Sequence, residues 1–166
     1  MNMTPGKYIE LLNELLTKKK ALLLDILALT QSQSETITEA GMDSLNHLIN
    51  DKQLKIDRIN ELDDEFGACC QKLESALKIS HLDQLDAAIL EADALKGAKQ
   101  LKILTSEILD VVRNISEMEK ENTKKSKKLL EQFGNEIKRI NQGKKANNAY
   151  KTGYSNAPSY FLDKKK

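Results

Sequence analysis

From Leu101 the apolar side chains recur at Leu104, Ile108, Val111, Ile115 and Met118, then Asn122, spaced by three and four without a slip. Side chains on a strand alternate every two residues, so this spacing defines one face of an α-helix. Leu129, Phe133, Ile137 and Ile140 resume it after a gap. The pattern predicts a helix over about 93–140, roughly 70 Å long at 1.5 Å per residue. A rod of that length cannot bury its stripe alone. It demands other helices.

Two earlier stretches supply them. In "MTPGKYIELL", Thr4 is placed to cap a helix and Pro5 to occupy its first position, where a missing N–H costs nothing. Tyr8, Leu12, Leu15, Leu22, Ile26, Leu29 and Ile37 then mark a helix over about 5–40, with Lys19 and Gln33 in the same stripe. "EAGMDS" provides a stop at Gly41 and an expected N-cap at Asp43. A second helix is expected over 44–77, its stripe read as Leu45, Ile49, Ile56, Ile59, Leu62, Phe66, Cys70, Leu73 and Leu77, with one phase slip near Leu62. "KISHLDQLD" reads as a short helical elbow within about 80–92.

The expected fold is all-α, an elongated antiparallel three-helix bundle over 1–140. From Asn141 the period ends, and residues 141–166 are expected to form a disordered, basic C-terminal tail. With 40% hydrophobic and 31% charged residues, 7 Gly and 2 Pro, the composition agrees with long helices. The net charge of +1 hides a division: residues 1–119 hold 13 Lys/Arg against 21 Asp/Glu, and residues 120–166 hold 13 against 4.

Several chemistries find no footing. The two histidines, His47 and His81, have no acidic partner at metal-ligand spacing, and solvent-facing or capping roles suit them. There is no glycine-rich phosphate loop and no nucleophile elbow. "ACCQ" holds both cysteines, one expected in the seam and one beside it, a poor setting for a thiol nucleophile. No catalytic, cofactor or metal site is expected, and the chain is expected in the cytoplasm. The apolar run in "KKKALLLDILAL" is too short to span a bilayer and lacks a cleavage site. Nucleic acid is disfavoured as a partner because the basic end has a single arginine, Arg139, and the body is acidic. A membrane-surface role is disfavoured because "KKSKK" lacks an aromatic anchor. A self-associating structural coiled coil stays open.

The rings are oddly placed. Tyr150, Tyr154 and Tyr160 are three of four tyrosines, all within the last seventeen residues. Rings normally go where a core or an interface is made. These are open either to a partner's pocket or to folding back on the helices, for which Tyr160, Phe161 and Leu162 are apolar enough.

Taken with these features, the chain resembles the FlgN family of flagellar type III export chaperones. The resemblance is carried by "LLNELL" at 11–16, by "GMDSLNHLINDKQLKIDRINEL" at 41–62, and by Asn122 within "EKENTKKSKKLLEQF". The tail adds "AYKTGY" and a closing "FLDKKK". It implies a small helical protein that binds hook–filament junction proteins before secretion and delivers them to the export gate. It further implies client contact through the third helix, here Ile115, Met118, Asn122, Leu129, Phe133 and Ile137. Contact with the cytosolic domain of the gate would fall to Tyr150, Gly153 and Tyr154, with the matching ring either Tyr150 or Tyr154. No integral membrane segment is implied, and a homodimer is compatible with it.

Overall fold

The computed structural model describes residues 3–86 and 89–152, the last three as backbone only. Among them there are three long helices and no strand: α1 Pro5–Thr36, α2 Met42–Leu77 and α3 Ala92–Thr152. The chain divides into two compact units, Met1–Asn122 and Thr123–Lys166.

α1 begins as its sequence dictates. Thr4 stays extended and its hydroxyl accepts from the Lys7 amide at 3.3 Å, with Pro5 in the first turn. The helix buries two columns rather than one. Tyr8, Leu12, Leu15 and Ile26 form the expected stripe, while Ile9, Leu16, Leu23 and Thr30, spaced by seven, form a second. Two columns are what a helix needs when two neighbours flank it.

The turn into α2 differs in detail from the sequence reading. α1 stops at Thr36, a 3-10 turn covers Glu39–Gly41, and Gly41 itself, not Asp43, is the N-cap of α2. Asp43 falls in the first turn, where its charge suits the helix dipole. Gly41 is required here for space: a Cβ on it would lie 2.2 Å from the Thr36 carbonyl oxygen.

α2 buries most of its expected stripe, with Phe66, Cys70 and Leu77 packed against the core, and departs from it only in its first half. Ile59, Leu62, Cys69 and Leu73 are buried, and so is Lys52, whereas Ile49 and Ile56 are 44% and 37% exposed. Cys69 takes the seam position and Cys70 sits half-buried beside it. Contacts between α1 and α2 step down one helix as they step up the other: Tyr8 with Cys69, Lys19 with Asp63, Asp25 with Lys55, Gln33 with Lys52. Contacts between α1 and α3 rise together, from Asn13–Gly97 through Lys20–Glu107 to Thr30–Asn122.

The elbow holds a 3-10 turn at Leu82–Gln84. Gln84 caps it, its Oε1 accepting from the amides of Ser80 at 2.7 Å and His81 at 3.4 Å. Leu85 and Leu90 fold into the core from this segment.

At Gly97 α3 lies close against α1. A Cβ there would meet Cγ2 of Ile9 at 2.8 Å, and Ile9 is 1% exposed and β-branched, so it has nowhere to turn. Gly67 on α2 faces open space. Alanine gains about 1 kcal/mol over glycine inside a helix, and overpacking costs roughly 1–3 kcal/mol. In urea melts, Gly67→Ala is therefore expected to stabilise the protein by up to about 1 kcal/mol. Gly97→Ala is expected to destabilise it by a similar amount.

α3 runs past its expected end at Ile140 to Thr152. Residues 141–152, read from sequence as tail, are helical; residues 153–166 lie outside the described residues.

Candidate binding surface

The core of the first unit is apolar from Tyr8 to Ile26 on α1 and from Ala98 to Val111 on α3. Beyond that level it turns polar. The Lys52 ammonium donates to Oε1 of Gln33 at 3.0 Å and ion-pairs with Glu119. Its aliphatic stem lies in the seam and its charge is met at the edge. Asn122, 3% exposed, donates from Nδ2 to the Thr30 carbonyl at 3.1 Å, and its Oδ1 has no hydrogen-bond partner. Thr30 turns its own hydroxyl back to the Ile26 carbonyl at 2.7 Å.

A buried acceptor left unpaired costs about 1–3 kcal/mol. The Thr30 carbonyl lies inside α1 and does not depend on Asn122 for a partner. Asn122→Leu is therefore expected to raise stability by about 1 kcal/mol. Equilibrium unfolding in urea measures it.

Asn122 closes the first unit, and the next stretch of α3 belongs to the second. There the apolar stripe resumes without cover among the described residues. Leu130, Ile137 and Ile140 are 69%, 58% and 56% exposed, and Leu129 and Phe133 are half-buried. At 100° per residue these five share one face of the helix.

The six residues expected to meet a client thus divide in two. Ile115 packs against the core of the first unit, Met118 is half-buried, and Asn122 is buried and hydrogen-bonded. Leu129, Phe133 and Ile137 lie on the uncovered stripe of the second unit. Leu130 was missed although it stands three before Phe133, and Ile140, a member of the stripe, was left out of the site although it stands three after Ile137. Of the residues expected to meet the gate, Tyr150 has a helical backbone, and Gly153 and Tyr154 lie outside the described residues.

Among the described residues, the cysteines and histidines form no reactive cluster. Burial, then the neighbouring Cys69 and Glu74, push the Cys70 thiol up to about 11. Burial also raises Cys69, with Lys72 opposing it, and its Sγ–H points to the Tyr8 carbonyl at 3.6 Å. Both thiols stay protonated at neutral pH, which removes the thiolate a nucleophile requires. His47 and His81 are exposed. Among the described residues no group of three or more His, Cys, Asp or Glu could hold a metal ion, and no helix is long and apolar enough to cross a membrane.

The described residues thus combine a closed core in the first unit with a bare apolar stripe in the second. The family model described as FlgN protein matches residues 1–156. The chain belongs to the FlgN family. No curated protein and no solved structure gives a match. FlgN membership is consistent with a flagellar export chaperone.

Proposed function

We propose that this FlgN-family protein is a non-catalytic, cytoplasmic secretion chaperone. It binds hook–filament junction proteins, prevents their premature assembly and delivers them to the type III export gate. The observation that carries this reading is the uncovered stripe of Leu129, Leu130, Phe133, Ile137 and Ile140. Such a stripe offers an amphipathic terminal helix of a client the same surface that α1 and α2 offer each other. In this reading the first unit is an antiparallel three-helix bundle whose packing is its own. Leu129, Phe133 and Ile137 make the contact, while Ile115, Met118 and Asn122, the other residues expected to meet a client, belong to the first unit.

Tyr150, Gly153 and Tyr154 are the proposed docking motif for the cytosolic domain of the gate. A short motif of this kind binds weakly and exchanges fast, which suits delivery. Deleting residues 150–166 is expected to abolish gate docking and leave client affinity unchanged, measured by calorimetry with each partner. Loss of client binding instead would contradict the division of labour. Tyr150→Ala and Tyr154→Ala, made separately, decide which ring docks. The competing reading of the stripe is pairing with a second copy, which predicts a client-independent dimer in sedimentation equilibrium.

A further inference from the structure

The second unit is also strongly basic, and its charges are arranged about the stripe. Residues 123–152 hold nine Lys/Arg against two Asp/Glu, whereas residues 1–122 hold 14 against 22. The helix continues without a break from "KKSKK" to Thr152, so Phe133 and the added Lys144 and Lys145 belong to the same rod. Lys127, Lys138 and Lys145, separated by eleven and seven residues, fall beyond one edge of the apolar stripe. Arg139 stands toward the other, with Glu136 between it and the stripe, and Lys144 follows the line of the stripe past Ile140. All five cations are exposed. The acidic residues of this stretch are Glu131 and Glu136.

An apolar face with leucine, isoleucine and a phenylalanine, bordered by cations, is the pattern of a helix that lies in the plane of an anionic bilayer surface. The phenylalanine supplies the anchor that "KKSKK" lacks by itself. We infer that the α3 segment 123–145 seats on anionic lipid, its stripe among the acyl chains and its lysines at the headgroups. A purely acidic surface would meet the lysines and leave the stripe bare, whereas an anionic bilayer meets both. The inference goes beyond the chaperone reading and does not require it. Because both use one stripe, lipid seating and client capture exclude each other.

The test is co-sedimentation of the full chain, without client, with vesicles of phosphatidylcholine alone or mixed with phosphatidylglycerol. Binding is expected only with phosphatidylglycerol, weakening as salt rises. Leu130→Ser/Ile137→Ser and Lys127→Glu/Lys138→Glu/Lys145→Glu are each expected to weaken it by about tenfold or more. The altered residues are exposed, and unchanged helicity by circular dichroism checks that both variants fold. No binding to phosphatidylglycerol vesicles overturns the inference, as does binding indifferent to Leu130→Ser/Ile137→Ser. If vesicles fail but polyglutamate binds, the basic face serves an acidic protein and the lipid assignment falls.

Discussion

Leu130→Ser/Phe133→Ser/Ile137→Ser is expected to reduce affinity for a client's terminal helix by a hundredfold or more without lowering the urea midpoint of the first unit. Fully burying a large apolar side chain contributes about 1.5–3 kcal/mol, so three together outweigh the roughly 2.7 kcal/mol that a hundredfold represents. The midpoint should hold because Leu130 and Ile137 are more than half exposed before any client arrives. Ile115→Ser is the control. Ile115 packs against the core, so its replacement should lower the midpoint. Intact stability with lost capture locates the surface; lost stability in the triple variant would place the stripe in the core.

The second large effect concerns the core itself. Leu12 and Leu73 are fully buried, at 0% exposed each, one on each helix of the α1–α2 pair. Leu12→Ala and Leu73→Ala are each expected to cost roughly 2–5 kcal/mol, the range for emptying a packed leucine site. A domain of this size has about 5–15 kcal/mol in all, so the double variant should be largely unfolded at room temperature. Leu54, 69% exposed on α2, should change stability by less than about 0.5 kcal/mol when replaced by alanine. Equal effects at Leu54 and Leu73 would mean that α2 presents a different face to α1.

What the sequence announced was local. Thr4 and Pro5 start a helix through groups within one turn of themselves, and the spacing from Leu101 to Met118 needs no knowledge of the partner. Only the first half of α2 departs from its stripe, because burial is a tertiary property. Lys52 enters the seam where Gln33 and Glu119 meet its ammonium, while Ile49 and Ile56, three before and four after it, stay partly exposed. Gly41 looked like a helix terminator, yet its need for hydrogen in place of a Cβ arises from the Thr36 carbonyl. α3 outruns its last stripe residue, Ile140, because a helix does not end where its apolar stripe does. Once formed, a helix extends at little cost through residues such as "KKANNA".

The candidate surface was legible in outline for the same reason. Asn122 is visible as a polar break in a regular stripe, and Leu129, Phe133 and Ile137 as its resumption. Its bond to the Thr30 carbonyl, which separates a satisfied near side from a bare far side, depends on how α1 and α3 meet. No residue type in the sequence encodes that meeting alone.

Hydrogen exchange of the full chain, with and without a peptide from a junction protein's terminal helix, bears most directly on the uncovered stripe as the place of capture. Amides of residues 129–140 should gain the greatest protection, with those of α1 and α2 unchanged. Protection gained only on α1 or α2, or none at any peptide concentration, would contradict it.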